Sequence, residues 1–501
     1  MNIVALLDST VRKYPDKPFL RHAGQSMTYA EVDALSRSAA AVFAAHGVQA
    51  GDRVASMCLN TPGMVVAMFG AWRLGAVVVP INHKMQAPEV DYILGHAKVK
   101  LCVFDGSLAQ VVQRLQTAVT LLGTDTEAAG FASFDALLQT AGTFDAPPPA
   151  DDSVAEILYT SGTTGRPKGC VLTHRSVCVA AITSALALSM HRDERTLMAM
   201  PLWHSSPLNN WMLGTLYVGG TVILLREYHP LHFLQTAQDE RATLYFGAPV
   251  SYLLPLQMKI DVASFDLSSV RAWIYGGGPI GADTARQLAH VYRSDRFYQV
   301  FGMTETGPSG TVLYPEEQVA RAGSIGRVAT PGLDMRVVRT DGADAGPGEI
   351  GEIWIKADSC MQGYLDNEAA TREVLRDGWY RSGDLVRVDA DGFLFVVDRT
   401  RDMIITGGEN VYSKEVEDVL VAHPDIQDVA VIGRPHAEWG ETVVAVLVPR
   451  PGTQPDSEAI KAFAAQQLAR YKVPREFQLR DGLSRTPTGK LMKHVLRADL
   501  V

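Results

Sequence analysis

The chain has no cysteine pattern. Its five cysteines, Cys58, Cys102, Cys170, Cys178 and Cys360, are odd in number and scattered, and no two stand at C-x-x-C spacing. That excludes a disulfide scaffold and gives no zinc or redox signature. They read as buried thiols of a reducing cytosol. A membrane-length apolar run is also lacking. The longest candidates are Met64–Pro80, which holds Arg73, and Val177–Met190, which is too short to span a bilayer. Asp8, Arg12 and Lys13 interrupt any signal-peptide core at the N-terminus. A cytoplasmic protein with no membrane span is expected. Positive charge is in deficit, with 46 basic against 55 acidic residues and a net charge of −9. Nucleic acid and anionic membranes would repel such a surface, so neither is expected as a partner. Internal repeats and low-complexity tracts are absent.

What is present is ordinary globular text. The 501 residues are 47% hydrophobic and 20% charged, which excludes a disordered chain. At about 150 residues per domain, the length corresponds to about three domains' worth of chain. From about residue 54, short apolar runs (Val54–Leu59, Val77–Pro80, Val99–Phe104) alternate with helical patterns (Met64–Leu74, Pro88–His96). That alternation predicts βαβ units and parallel sheet covered by helices. The segment GTFDAPPPADDS, Gly142–Ser153, is a loop because its prolines cannot continue a helix or a central strand. Strand-like runs resume at Ala155–Tyr159, Thr196–Met200, Thr221–Leu225, Thr243–Phe246, Val270–Tyr275 and Phe297–Phe301. Beyond about 320, glycines and short β-branched runs such as Glu349–Lys356 and Gly392–Val397 predict an antiparallel β region. From about 402 an α+β unit begins, long enough to hold its own core.

Tyr159–Gly169 reads YTSGTTGRPKG. Glycines let backbone N–H groups turn toward an anion, hydroxyls donate further, and Lys168 adds charge, so the segment has the composition of a phosphate cradle. It is not a Walker A loop, because Pro167 and Gly169 stand where that motif needs Gly and Ser/Thr. Gly276–Gly281, GGGPIG, is a literal G-x-G-x-x-G. No acidic residue closes a strand about 20 residues on, which argues against a dinucleotide site. A tight strand-to-helix turn with Pro279 as first helical residue accounts for it. YQVFGMTETG, Tyr298–Gly307, ends an aromatic run in Gly302 and then places Thr304 and Glu305, which alone would serve as a helix start.

The chain is identified by these segments as a member of the adenylate-forming superfamily, which includes acyl-CoA synthetases, nonribosomal-peptide adenylation domains and beetle luciferases. The resemblance runs from about residue 28 to 493. It implies an α/β fold: a large N-terminal domain of helix-covered sheets plus a β-rich subdomain over residues 1–400, then a small mobile α+β domain over 401–501. It implies that Thr160, Ser161, Gly162, Thr163, Thr164, Gly165 and Lys168 hold the ATP phosphates. Gly276, Gly277, Gly278 and Pro279 would face adenine, with Phe301, Gly302 and Met303 beside it. Phe301 stands where many relatives have Tyr, so stacking is kept and a phenolic hydrogen bond is lost. Thr304 would contact the α-phosphate and Glu305 would hold Mg²⁺, for which one carboxylate suffices.

The resemblance extends to Asp384 of YRSGDL as ribose acceptor, assisted by Arg399; alone, either reads as a turn or salt-bridge residue. Arg401 stands at the hinge position, where Asp or Lys is usual. Lys490, in RTPTGKLMK, would be the cation of the first half-reaction. Gly407, Gly408 and Trp439 would line a coenzyme A tunnel, although Trp439 also fits a core position. His204 would stand beside the carboxylate, with Trp203, Trp211 and Phe246 in the acyl pocket.

One reading rests on composition. Trp203–Leu225, Leu244–Met258 and Ala272–Gly281, the segments that line the substrate pocket in relatives, contain no Asp, Glu, Lys or Arg. Burying an unpaired charge is costly, so a neutral-tailed monocarboxylic acid, fatty or aromatic, is expected. The wide side chains Tyr245, Tyr252 and Met303 suit it. The expected activity is an ATP-dependent acyl-CoA ligase with ATP, Mg²⁺ and coenzyme A, acting on a small-molecule acid. The alternatives are a stand-alone adenylation enzyme loading a carrier protein, a non-catalytic nucleotide sensor, and a luciferase-like oxidation. A homodimer is left open.

Overall fold

A computed structural model describes residues 1–124, 130–160, 167–278, 280–485 and 491–499. The chain divides into two compact units, one built from residues 1–160, 167–335 and 355–380, the other from 336–354 and 381 onward.

Among the described residues the first unit holds two eight-stranded sheets. One runs in the order Gly310–Leu313, Phe297–Gly302, Ala272–Gly276, Leu244–Gly247, Arg195–Met198, Thr221–Leu224, Pro18–His22 and Gln25–Thr28. Its inner pairs are parallel and its two edge pairs antiparallel. The other runs Gly363–Tyr364, Lys168–Thr173, Val154–Thr160, Val77–Pro80, Arg53–Met57, Val99–Asp105, Thr120–Thr124 and Ala132–Ser133. Strands such as Val77–Pro80 and Thr221–Leu224 are buried along their whole length. That is why they read as continuous apolar runs and not as alternation.

Local chemistry starts and joins the helices. Thr28 and Glu31 form a capping box at the start of Tyr29–Ala45. Thr61 caps Pro62–Arg73, whose Pro62 takes the first turn, where no backbone donor is needed. These two helices meet at Gly70, where a Cβ would lie 2.4 Å from the Ala39 Cβ. A side chain there would drive the helices apart.

The expected strands from Val54 to Phe301 are all present, with ends shifted by a few residues. Three features were not anticipated. Residues before 54 contribute Ile3–Lys13, Tyr29–Ala45 and the strand Pro18–His22, which joins the sheet by pairing with Thr221–Leu224. Lys168–Thr173 is a strand antiparallel to Val154–Thr160. Ser206–Met212 is a wide-turned π-helix, a form often found at functional sites.

In the second unit, residues 350–354, 381–388 and 394–399 lie in one sheet. A second sheet centres on the long antiparallel pair Ile426–His436 and Gly440–Pro449. Helices Ser413–Val421 and Ser457–Ala465 cover it, with Val416, Leu420, Val431, Ala445 and Ile460 in the core.

Candidate functional site

The parallel strands of the first sheet place the expected residues at their carboxyl ends, the edge where open α/β sheets bind ligands. Met200–His204 follows Arg195–Met198, Phe246 lies in Leu244–Gly247, Gly276–Gly278 ends Ala272–Gly276, and Thr304 and Glu305 follow Phe297–Gly302. Gly302 is required by close packing, because a Cβ there would sit 2.3 Å from the Pro308 carbonyl oxygen.

Two of the motifs converge on one side chain that sequence reasoning missed. The Tyr364 hydroxyl donates to Glu305 Oε1 at 2.9 Å, and Lys168 Nζ stands 4.9 Å from the centre of the Tyr364 ring. Tyr364 is placed by its pairing with Cys170, and Met361 N–H donates to the Glu305 carbonyl at 2.9 Å. Burial, reinforced by the Glu305 charge, holds the Tyr364 phenol far above its ordinary pKa, so it stays a donor. The same two causes push the Cys170 thiol up. Nothing in the local text MQGYLDN marks Tyr364, since the contact arises only when the strands pair.

Thr304 Oγ1 lies 3.0 Å from Ser205 Oγ, which ties the loop after Arg195–Met198 to the Thr304–Glu305 turn. Under that turn, Glu156 is fully buried and accepts from Asn209 Nδ2 at 2.6 Å; the same Nδ2 reaches the Gly307 carbonyl at 3.3 Å. Among the described residues Glu156 Oε2 and Asn209 Oδ1 have no partner. Burial pushes the Glu156 carboxyl up to about 7.

In the acyl segments, the Trp211 and Phe246 rings lie 5.3 Å apart, and both are buried. A Cβ at Gly276 would meet Phe246 Cε2 at 3.3 Å, so Phe246 and the GGG turn border the same space. Trp203 packs on His204 with ring centres 4.9 Å apart, and its Nε1 donates to His83 Nδ1 at 3.2 Å. Burial lowers the His83 pKa and favours the neutral ring. Tyr245 and Tyr252 belong to a core cluster around Trp273 and Phe233, where they pack sheet against helix.

Within the second unit, Asp384 and Arg399 are paired in register, and Arg399 Nε lies 3.0 Å from Asp384 Oδ1. The two residues expected at the ribose are therefore neighbours. The Gly407–Gly408 turn has positive φ at both positions, +59° and +83°, and Gly407 N–H donates to the Trp439 carbonyl at 2.9 Å. The Trp439 ring stacks on His436, with centres 4.5 Å apart, and the Arg475 guanidinium lies 3.8 Å from its centre. His436 and Arg475 were missed, because each is unremarkable until the strands bring them to Trp439. Arg401 is followed by Asp402, which accepts from Arg497 at 2.9 Å. Lys490, Pro279 and the loop residues Ser161, Gly162, Thr163, Thr164 and Gly165 lie outside the described residues.

A family model described as AMP-binding enzyme matches residues 7–365, and one for the AMP-binding enzyme C-terminal domain matches 415–490. The chain belongs to the AMP-binding enzyme family. It is 38% identical over 493 residues to a feruloyl-CoA synthase from an Amycolatopsis species, covering 97% of this chain and 96% of the relative. A long-chain-fatty-acid–CoA ligase of Mycobacterium tuberculosis is 35% identical, covering 94% and 92%. The structure resembles that of ATP-bound MatB from Rhodopseudomonas palustris, with a TM-score of 0.86 at 31% identity, covering 100% of this chain and 99% of that one. An o-succinylbenzoate CoA synthetase from Bacillus subtilis in complex with its acyl-adenylate gives 0.85 at 29% identity, covering 99% and 97%. Among the described residues no helix is long and apolar enough to cross a membrane.

Proposed function

We propose that the chain is an ATP-dependent acyl-CoA ligase for a neutral-tailed monocarboxylic acid, fatty or aromatic. The observation that carries this reading is the Lys168–Tyr364–Glu305 cluster, which joins the lysine of the phosphate segment to the carboxylate of the TE turn. A cation for phosphate oxygens and a carboxylate beside hydroxyl groups fit Mg-ATP, because Mg²⁺ on phosphates takes one or two protein carboxylates and otherwise waters. Glu305 would hold the ion, which when bound would neutralise phosphate charge.

In the first half-reaction a substrate carboxylate oxygen attacks the α-phosphorus and the bond to the β-phosphate oxygen breaks, giving acyl-AMP and pyrophosphate. Thr304 lies on the turn at the α-phosphate, Asp384 with Arg399 takes the ribose, and the Gly276–Pro279 turn and Phe301 take adenine. Lys490 offsets the charge gathered between two anions. In the second half-reaction residues 401–501 turn about Arg401 and withdraw Lys490. Gly407, Gly408 and Trp439 then line the path of the coenzyme A thiol, which attacks the acyl carbonyl as AMP leaves and its proton is lost to solvent. A carrier-protein thiol in place of coenzyme A is the alternative acceptor; one relative of this chain, from Streptomyces coeruleorubidus, is a fatty acid–acyl-carrier-protein ligase.

The acids named for relatives include ferulate, indoleacetate, long-chain fatty acids and 2-succinylbenzoate, so kinship alone does not choose the tail. Buried Trp211 and Phe246, and segments without a formal charge, support a neutral one. A panel of acids assayed by pyrophosphate release, with and without coenzyme A, tests this. Hexanoate-like, longer or benzoate-like acids should exceed malonate and amino acids in kcat/KM by about 100-fold or more, since a mispaired buried charge costs several kcal/mol. Malonate or an amino acid above every neutral-tailed acid would overturn it.

A further inference from the structure

The π-helix Ser206–Met212 meets the turn that carries Thr304 and Glu305 through two successive amides. The wider turn of a π-helix sets neighbouring side chains closer in direction than an α-helix does, so both can reach one target. Asn209 Nδ2 donates to the Gly307 carbonyl at 3.3 Å, and Asn210 Nδ2 donates to the Pro308 carbonyl at 3.3 Å. A carbonyl only accepts, so the nitrogen of each amide must face the turn. Ser359 packs on the same turn. A Cβ at Gly307 would lie 2.4 Å from the Ser359 carbonyl oxygen, and the Ser359 hydroxyl donates to the Thr306 carbonyl at 2.7 Å. Asn209 is itself held in place. It is fully buried, and its Nδ2 also donates at 2.6 Å to Oε1 of Glu156, on the strand Val154–Thr160. That strand belongs to one eight-stranded sheet, whereas Gly307 follows Phe297–Gly302 of the other. One amide group therefore links the two sheets, two residues from Glu305.

We propose that Asn209 is a positioning residue for Mg²⁺: anchored on Glu156, it fixes the Gly307 carbonyl and thereby the backbone from which Glu305 extends. This rests on reading Glu305 as the metal ligand. Asn209 need not touch the ion or the nucleotide. A carboxylate on a backbone that is already fixed loses less conformational freedom when it takes a cation, and partners behind a metal ligand tune its affinity in this way. The amide therefore lowers the Mg²⁺ concentration that the reaction needs.

The test measures two quantities for each variant: the Mg²⁺ concentration for half-maximal acyl-AMP formation, and the thermal midpoint. Asn209→Leu keeps the volume and removes the donor. It should raise the Mg²⁺ requirement by about three- to tenfold, the effect of one neutral hydrogen bond, and lower the midpoint because Glu156 is left buried without its partner. Glu156→Gln is the conservative variant. Its amide oxygen still accepts from Asn209, so the Mg²⁺ requirement should stay at the wild-type value. Glu156→Leu combined with Asn209→Leu removes both polar partners, which should recover the midpoint, since replacing a buried pair by apolar groups of similar shape is nearly neutral. The Gly307 carbonyl still lacks its donor there, so the Mg²⁺ requirement should remain raised. If Asn209→Leu does not fold, the double variant decides. A wild-type Mg²⁺ requirement in the double variant, recovered together with the midpoint, makes Asn209 a structural residue only and overturns the proposal. Glu305→Gln separates the two readings. If it raises the Mg²⁺ requirement while the Asn209 variants do not, the positioning role alone fails; if it has no effect, the metal reading fails and the positioning role with it.

Discussion

At the scale of single residues, two carboxylates differ in what surrounds them. Glu305 is partly exposed, faces the Tyr364 hydroxyl and lies in the cluster with Lys168. Glu305→Gln should leave the thermal midpoint nearly unchanged and raise the Mg²⁺ concentration needed for half-maximal rate. Full activity at low Mg²⁺ would remove Glu305 from the metal role. Glu156 is fully buried, and its carboxyl titrates near 7 against 4.5 for the free side chain. The unfolded chain releases this proton at lower pH than the folded one does. Stability from this group is therefore full below about 4.5 and is lost as pH rises through 7. A shift of that size corresponds to about 3 kcal/mol. Glu156→Gln should remove this fall, since the amide stays neutral and can still accept from Asn209. Buried His174, whose pKa is lowered to about 4, works the other way and destabilises the fold as pH falls from 6.5. Denaturant midpoints at pH 5 and pH 8 for wild type and variant isolate the Glu156 contribution. An identical pH dependence in both would refute it.

At the scale of elements, one largely buried lysine ties the second unit together. Lys493 Nζ reaches Glu417 at 2.7 Å and Ser413 Oγ at 2.5 Å, and the Ser413 N–H and hydroxyl both donate to Asp398. Burial raises the pKa of both carboxyls, and the Lys493 charge opposes it. Lys493→Met would leave two buried acids without their cation, and should cost about 3–5 kcal/mol of stability. Chemical unfolding followed at Trp439 would show this; a loss below 1 kcal/mol would mean that water already serves the acids. None of this network was legible beforehand. The helix Ser413–Val421 could be placed from its pattern, but Glu417 and Lys493 stand 76 positions apart and meet only through tertiary packing. The same holds for Tyr364, Glu156 and Asn209. Strands buried on both faces were readable because apolar runs are their direct signature. The register that sets Asp384 beside Arg399 was not, because local periodicity carries no information on pairing. The N-terminal strand Pro18–His22 was missed because it is short, begins with proline and finds its partner about 200 residues away.

At the scale of the whole molecule, family membership, the carboxyl-end placement of the first-unit residues and the pairings within the second unit support one chain running two half-reactions. The distinguishing claim is that Lys490 serves adenylate formation and is absent from thioester formation. The most direct test is a single-turnover comparison of wild type and Lys490→Ala. Acyl-AMP formation from acid and ATP without coenzyme A is followed first, then conversion of supplied acyl-AMP and coenzyme A to thioester. The account predicts a loss of about 10²–10³-fold in the first step, the order of one missing transition-state electrostatic contact, with little change in the second. An equal loss in both steps, or none in the first, would contradict it.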